Sequence, residues 1–172
     1  MPQKTIYFAH PMCDYGTERE AKIIKFLEAE GYHVVNPADH QQAYDDWLES
    51  PAFTGERMKF WTNMAMSCDE CAFIAFADDL NAEGVPHGYH GFRDSTGFEF
   101  GTSPCHRIGA GVWKEVDTIF DAGKPVFFVQ DSTNSIFLMG VAADDWATAN
   151  GFTKLTVDET RALLRASGTY KK

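Results

Sequence analysis

The sequence predicts an α/β fold in which strands and helices alternate along the chain. Two observations support this prediction. Short β-branched and aromatic runs recur between segments whose apolar residues have helical spacing, and capping residues mark several segment ends. The 172 residues are enough for one domain with a single core. Because no linker or internal repeat divides the chain, we expect one domain over residues 1–172.

A βαβ unit is predicted at the start of the chain. Residues 5–9 form a β-branched and aromatic strand. The T-x-x-E capping box of Thr17 and Glu20 then predicts a helix, which Gly31 ends. Residues 32–35 form the second strand. A unit of this length implies parallel strands and a right-handed crossover.

The middle of the chain combines regular and irregular segments. Residues 38–55 are polar and aromatic without a clear period, whereas residues 56–67 have the apolar spacing of a helix. Residues 71–76 are uniformly apolar, which predicts a fully buried strand. An insertion at about 77–107 is rich in Gly, His and Asp and has no periodicity. Long loops of this kind inside compact domains are usually functional or partly disordered.

The second half of the chain continues the alternation. The predicted elements are a helix at 111–122, a strand at 125–129, a strand or loop at 135–139, a helix at 142–150, a strand at 152–157 and a helix at 158–166, where Thr156 and Glu159 repeat the capping-box pattern. The whole pattern predicts a doubly wound parallel five-stranded sheet, a flavodoxin-like three-layer sandwich with strand order 2-1-3-4-5. Its ligand site would lie beyond the carboxyl ends of the strands.

Composition excludes several classes of function. The net charge of −10 would repel a phosphate backbone, so we expect no nucleic-acid polymer as partner. No apolar run approaches the roughly 18 residues of a membrane span, and no signal peptide is visible, so we expect a cytoplasmic protein. Cys68 and Cys71 form a lone C-x-x-C, which is more typical of buried thiols than of a redox or metal site.

The insertion contains a second group of potential metal ligands. His87, His90, Cys105 and His106 lie close together in sequence, but an H-x-x-H pair without helical support makes a poor zinc site. We therefore expect neither a metal nor a cofactor.

The strongest candidate for chemistry is Glu115. Arg107, Gly109 and Gly111 precede it, and glycines before a helix allow a ligand to approach free backbone N–H groups. A carboxylate one turn into that helix can act as a nucleophile at a sugar carbon or as an acid or base. The alternative is that Glu115 only complements the helix dipole.

A family resemblance favours the catalytic interpretation. The segment 111–115, with Glu115 followed eight residues later by Gly123-Lys124-Pro125-Val126, resembles the G-x-x-x-E and G-K-x-V motifs of the nucleoside 2-deoxyribosyltransferase family. The first strand, and Cys68-Asp69 before the third strand, also resemble the corresponding segments of this family. The resemblance thus consists of short matching segments spread over roughly residues 4–130. The family includes transferases and 2′-deoxynucleoside 5′-phosphate N-hydrolases.

The resemblance implies specific roles. Glu115 would attack the anomeric carbon of a nucleoside or nucleotide, and Tyr7 would orient its carboxylate. Ala9 and His10 would line the substrate pocket after the first strand. Tyr7 could equally be a core aromatic, and His10 a loop histidine without a partner. The family also implies a homodimer or a higher homo-oligomer.

The chain departs from the family pattern in several places. Trp61 stands where the family has an Asp that assists the leaving group or holds the sugar, and Gly109 stands where the nucleotide hydrolases have a phosphate-binding Ser. Arg107 and His106 are possible substitutes for that Ser. Asp94 and Glu99 lie in a segment that also resembles a sequence motif of the family, and we expect both residues to contribute to the pocket.

Other interpretations stay open. The aromatic residues of the middle segment could stack a nucleobase, or form core or a dimer interface; they are Tyr44, Trp47, Phe53, Phe60 and Trp61. The chain could be a non-catalytic nucleotide-binding or sensing module. It could also be an unrelated flavodoxin-like enzyme that uses the Asp- and His-rich insertion.

Overall fold

The structure is a computed structural model that describes residues 2–76, 106–131, 136–141, 146–149, 152–166 and 168. Asp94 and Glu99, with most of the predicted insertion and three of the four potential metal ligands within it, lie outside the described residues.

Strands and helices alternate along most of the described chain. In chain order they are β1 (Thr5–Ala9), α1 (Glu18–Ala29), β2 (His33–Val35), α2 (Gln41–Leu48), α3 (Met58–Met66), β3 (Glu70–Phe73), β4 (His106–Ile108), α4 (Ala110–Asp121), β5 (Val126–Asp131), β6 (Ile136–Val141), α5 (Trp146–Ala149), β7 (Phe152–Lys154) and α6 (Val157–Ala166).

The main sheet has five strands in the order β2-β1-β3-β5-β6. The first four strands are parallel, with Tyr7 opposite Cys71 and Cys71 opposite Val126 in the register. The fifth strand, β6, is antiparallel to β5. The mixed α/β class and a mostly parallel sheet are therefore confirmed.

The prediction that residues 152–157 form the fifth strand of this sheet was wrong. β7 instead pairs in parallel with β4 in a separate two-stranded sheet. Only residues 132–135 separate β5 from β6, which is the length of a hairpin connection. A strand that returns so soon after β5 takes the edge position and runs antiparallel, because a parallel crossover needs a dozen or more residues.

Helices cover both faces of the main sheet. Alternation along β1 directs Ile6 and Phe8 to one face, where they pack with the α1 residues Ile23 and Leu27. Tyr7 lies on the opposite face, in the core that contains residues of α3 and α4. The strands at the centre of the sheet are buried on both faces, which explains the uniformly apolar sequence of the third strand.

Several local predictions need correction. Residues 38–55 contain α2, which the sequence did not indicate because no residue of this helix is fully buried. β3 ends at Phe73, three residues earlier than predicted. The chain stays buried after β3, but it leaves the strand ladder, and the Phe76 N–H donates to the carbonyl of Arg107.

The two predicted capping boxes differ. At α6 both bonds form: Thr156 Oγ1 accepts from the Glu159 N–H at 3.1 Å, and Glu159 accepts from the Thr156 N–H at 3.0 Å. At α1 only half of the box forms, since Thr17 caps Glu20 but the Glu20 carboxylate turns to His10 instead.

Candidate active site

A cavity of about 540 Å³ opens beyond the carboxyl ends of β1 and β3. Its wall is formed by the segment after β1, residues of α2 and α3, the first turns of α4, and one side of α6. This is the end of the sheet at which parallel α/β proteins bind their ligands. A volume of this size accommodates a nucleoside or a comparably small molecule.

Glu115 lies on the second turn of α4 and lines this cavity. The helix buries Val112, Val116 and Ile119 in the core, and Glu115 falls on the same face because of the three- and four-residue spacing. Glu115 is only 7% exposed, and no cation or hydrogen-bond donor within bonding geometry pairs with its carboxyl group among the described residues. A buried carboxyl without a cation is costly for stability, which is typical of a functional group.

Burial raises the pKa of Glu115 to about 8, and the nearby Tyr7 hydroxyl group lowers it only in part. In the absence of a ligand, most Glu115 carboxyl groups are therefore protonated at neutral pH. A group with this pKa can gain or lose a proton near physiological pH.

Tyr7 lies behind Glu115 on β1 and is fully buried. Burial raises the pKa of Tyr7 well above its usual value, and the nearby charge of Glu115 adds a smaller increase. The phenol therefore keeps its proton. Its hydroxyl has no partner within hydrogen-bond geometry among the described residues, although it is close enough to Glu115 for each group to shift the pKa of the other. Tyr7 does not line the cavity.

His10 lines the cavity, but both of its ring nitrogens are committed to other groups. Nδ1 lies 2.8 Å from the carbonyl oxygen of Phe8, and Nε2 lies 2.7 Å from a carboxylate oxygen of Glu20. Burial alone would raise the pKa of Glu20, but hydrogen bonds from His10 and from the Gly16 N–H outweigh it and lower the pKa. Because both nitrogens already contact protein groups, the His10 ring forms part of the cavity wall and offers no nitrogen to a ligand.

Gly109, the residue before α4, has a packing role as well as a place at the cavity. A Cβ on Gly109 would lie 3.1 Å from the Phe76 ring and 3.3 Å from the methyl carbon of Thr160. The Thr160 hydroxyl group also accepts the Ala110 N–H at 2.8 Å. The next two N–H groups, of Gly111 and its successor, have no partner among the described residues.

Two further predicted site residues lie elsewhere. Ala9 is fully buried in the core and does not line the cavity. Arg107 lies on β4 and does not line it either, and its Nε is buried without a hydrogen-bond partner among the described residues. Neither residue is positioned to contact a ligand in the cavity directly.

The aromatic residues of the middle segment divide into two groups. Tyr44 and Trp61 line the cavity, with ring centroids 5.0 Å apart. Trp47 and Phe60 do not line it but pack against Tyr44, at 6.2 and 5.4 Å respectively, and Phe53 packs on Trp47. The second group therefore packs around the two aromatic residues that line the cavity, and stacking of a nucleobase on the first group stays a prediction.

The G-K-x-V segment after α4 has a structural role. Gly123 has a φ of +75°, which suits the residue after a helix C-cap. Lys124 Nζ donates to the carbonyl oxygens of Met66 and Cys68, at 2.5 and 2.8 Å. These bonds connect the segment between α4 and β5 to the end of α3. They lie near the C-terminal end of α4, whereas the N-terminal turns of α4 line the cavity.

A second set of contacts fixes α4 through Trp113 and Asp117. Asp117 accepts the Trp146 indole N–H and a Lys154 ammonium hydrogen, both at 2.7 Å. Lys154 also lies over the Trp113 ring, and the Trp113 indole N–H donates to Leu155 at 2.8 Å. The helix that carries Glu115 is thus held by α5 and β7.

Sequence reasoning missed three cations that line the cavity, namely Arg57, Lys114 and Arg161. The sequence position of Lys114 beside Glu115 could have indicated it, whereas only the fold brings Arg57 and Arg161 to the cavity. Among the described residues, no group of three His, Cys, Asp or Glu side chains could hold a metal ion, and no helix is long and apolar enough to cross a membrane.

Comparison of the chain with known protein families, with curated proteins and with solved structures found no match in any of the three. A functional assignment therefore depends on the chemistry of the cavity and on the motif resemblance around Glu115.

Proposed function

We propose that this protein cleaves the N-glycosidic bond of a nucleoside or a nucleoside 5′-monophosphate, with Glu115 as the nucleophile. The observation that supports this proposal best is a buried carboxyl group, without a cationic partner among the described residues, in the wall of a cavity of about 540 Å³. The family resemblance around Glu115 adds the reaction type. The finer fold assignment, a variant of the doubly wound flavodoxin-like sandwich, and a homo-oligomeric state belong to the same proposal.

The reaction proceeds in two displacements. In the first, a Glu115 carboxylate oxygen bonds to C1′ as the C1′–N bond breaks, and the bonding electrons leave with the base, which takes a proton from solvent. In the second, water or another nucleobase attacks C1′ and releases a proton to solvent, while the ester bond breaks and returns Glu115 as a carboxylate. Water as acceptor gives a hydrolase, and a base as acceptor gives a transferase.

The raised pKa of Glu115 is compatible with this role. Positive charge develops at C1′ in the oxocarbenium-like transition state, and it favours the ionised carboxylate beside it. The carboxyl releases its proton to solvent before it attacks C1′. The Tyr7 hydroxyl then donates to the carboxylate and holds one oxygen, so that the other is directed to the sugar.

The two aromatic residues that line the cavity suit a nucleobase as the leaving group. Tyr44 and Trp61 line the cavity, and aromatic side chains in such a position can pack against a nucleobase. Their position against Phe60 keeps them rigid, which favours one orientation of the base.

The proposal is tested by base release. Purified protein is incubated with a panel of ribo- and deoxyribonucleosides and their 5′-monophosphates, and free base is measured by chromatography. We expect release by the wild type and by Glu28→Gln, a control at an exposed helical glutamate outside the cavity. Glu115→Gln should reduce release by at least about 1,000-fold with an unchanged circular dichroism spectrum. An inactive wild type on the whole panel would refute the enzymatic proposal.

A second candidate function is nucleotide binding without turnover. It is favoured by the absence of a second carboxylate from the cavity lining among the described residues, because glycosidases usually use a pair. Trp61 occupies the position at which the resembled family has its second acid. Thermal stabilisation of the protein by a nucleotide, equal in the wild type and in Glu115→Gln and without base release, would support this candidate.

A further inference from the structure

The charge of the cavity is opposite to the charge of the chain. The protein carries a formal net charge of −10, yet three cationic side chains line the cavity and Glu115 is the only acidic residue in the lining among the described residues. The cations are Arg57, Lys114 and Arg161. A local excess of positive charge on an acidic protein attracts an anionic ligand to that place.

The side chains of these three cations have no protein partner among the described residues. Lys4, Arg19 and Lys154 form ion pairs with carboxylates at 2.7 to 2.9 Å. In contrast to these, the side-chain nitrogens of Arg57, Lys114 and Arg161 have no hydrogen bond or ion pair with any described residue. Their N–H groups are therefore available to a ligand.

The three cations come from separate elements that meet only in the fold. Arg57 precedes α3, Lys114 follows the first turn of α4, and Arg161 lies on the cavity side of α6. The acidic residues Asp158 and Glu159 precede Arg161 on α6 but do not line the cavity, and the Glu159 carboxylate accepts the Thr156 N–H. Arg161 also lies beyond residues 4–130, the part of the chain that carries the family resemblance.

Burial distinguishes two parts of the cavity. The three cations are exposed, whereas Glu115 and Trp61 are buried. A ligand that fills the cavity therefore places its reacting and stacking parts inward and its charged part at the rim. For a nucleotide, the base and C1′ would be inward and the phosphate outward.

We propose that Arg57, Lys114 and Arg161 bind a phosphate group of the substrate, and that they make the protein specific for a nucleoside 5′-monophosphate over the free nucleoside. The assignment of the reacting bond rests on the proposed function, but the phosphate site does not depend on catalysis. Guanidinium groups suit this task because they donate two parallel hydrogen bonds to phosphate oxygens.

The test compares one nucleoside with its 5′-monophosphate in two assays, base release and thermal stabilisation. The double variant Arg57→Gln/Arg161→Gln removes two cations, and Arg165→Gln is the control, since Arg165 is exposed on the same helix but does not line the cavity. We expect the wild type and Arg165→Gln to prefer the monophosphate by about 100-fold in kcat/KM. In the double variant, we expect kcat/KM for the monophosphate to fall at least about tenfold relative to the wild type. Its kcat/KM for the nucleoside should change less than about twofold.

The two assays separate the phosphate site from the glycosidase proposal. If no base is released, but the monophosphate stabilises the wild type and not the double variant, the phosphate site is supported and the reaction is refuted. If base is released equally from nucleoside and monophosphate, or if the double variant affects both equally, the phosphate site is refuted and the reaction stands. A loss in Arg165→Gln as large as in the double variant would also overturn the phosphate site.

Discussion

The buried hydroxyl group of Tyr7 lies next to the buried carboxyl group of Glu115, and it has no partner within hydrogen-bond geometry among the described residues. β1 and α4 bring the two groups together from positions more than one hundred residues apart. Only Glu115 reaches the cavity, so the tyrosine can act on a ligand only through the carboxyl group. In our proposal Tyr7 is thus a positioning residue.

Substitution Tyr7→Phe should separate function from stability. The phenol leaves a buried polar atom unsatisfied, and its removal costs little or even stabilises the fold. The ionised Glu115 would lose the donor that our proposal assigns to it, so we expect kcat/KM for base release to fall about 10- to 100-fold. Enzyme kinetics and thermal unfolding of the same preparation measure the two effects. A loss of activity that only parallels a loss of folded protein would contradict this role.

The pH dependence of base release should identify the active form of Glu115. A nucleophile must be ionised, and the pKa of Glu115 in the free protein is about 8. We therefore expect kcat/KM to rise about tenfold per pH unit below 8 and to level off above it. Because the Tyr7 hydroxyl lowers the pKa of Glu115, Tyr7→Phe should move the midpoint to higher pH. A rate that falls as the pH rises through 8 would instead make Glu115 a general acid.

Glu115 should also make the protein less stable at alkaline pH. Its pKa rises from 4.5 to about 8 on folding, so the folded state holds the proton over this range while the unfolded state has lost it. The free energy of unfolding then decreases as the pH rises from about 5 to 8, by about 4 kcal/mol for this group.

The comparison with Glu115→Gln isolates this contribution. The amide does not titrate, so the variant should gain stability relative to the wild type between pH 5 and 8.5. Urea denaturation at both pH values measures the difference, and the titration of other groups cancels between the two proteins. A constant difference across the range would show that the carboxyl is ionised in the folded protein.

Lys124 should matter for stability and not for chemistry. Its ammonium group binds two carbonyl oxygens at the end of α3, and it does not line the cavity. We expect Lys124→Met to lower the free energy of unfolding by about 1–3 kcal/mol. The kcat of the folded fraction should stay within about twofold of the wild type. Lys25→Met, at an exposed position of α1, is the matched control and should change neither quantity.

The parts of the fold that depend on local sequence were predicted well. β1 matches its predicted bounds, and α3 and α4 match theirs within one or two residues, because each combines a strong apolar period with clear end signals. Prediction failed for α2, which buries no residue completely, and for the fifth strand. The partner of a strand depends on contacts distant in sequence, and no local pattern encodes that choice.

The candidate site shows the same division. The sequence determined by itself that Glu115 would stand shortly after glycines at the start of a helix, since spacing and capping are local properties. It did not determine that Ala9 would lie in the core or that both ring nitrogens of His10 would already be bound.

Only the tertiary structure decided the chemical environment of Glu115. Burial by residues from several elements raises its pKa to about 8, and the crossing of β1 and α4 places Tyr7 beside it. The convergence of α3, α4 and α6 likewise brings the cations Arg57, Lys114 and Arg161 to one cavity. The physical reason is that desolvation and electrostatic attraction depend on distance in space, whereas helix and strand signals depend on distance along the chain.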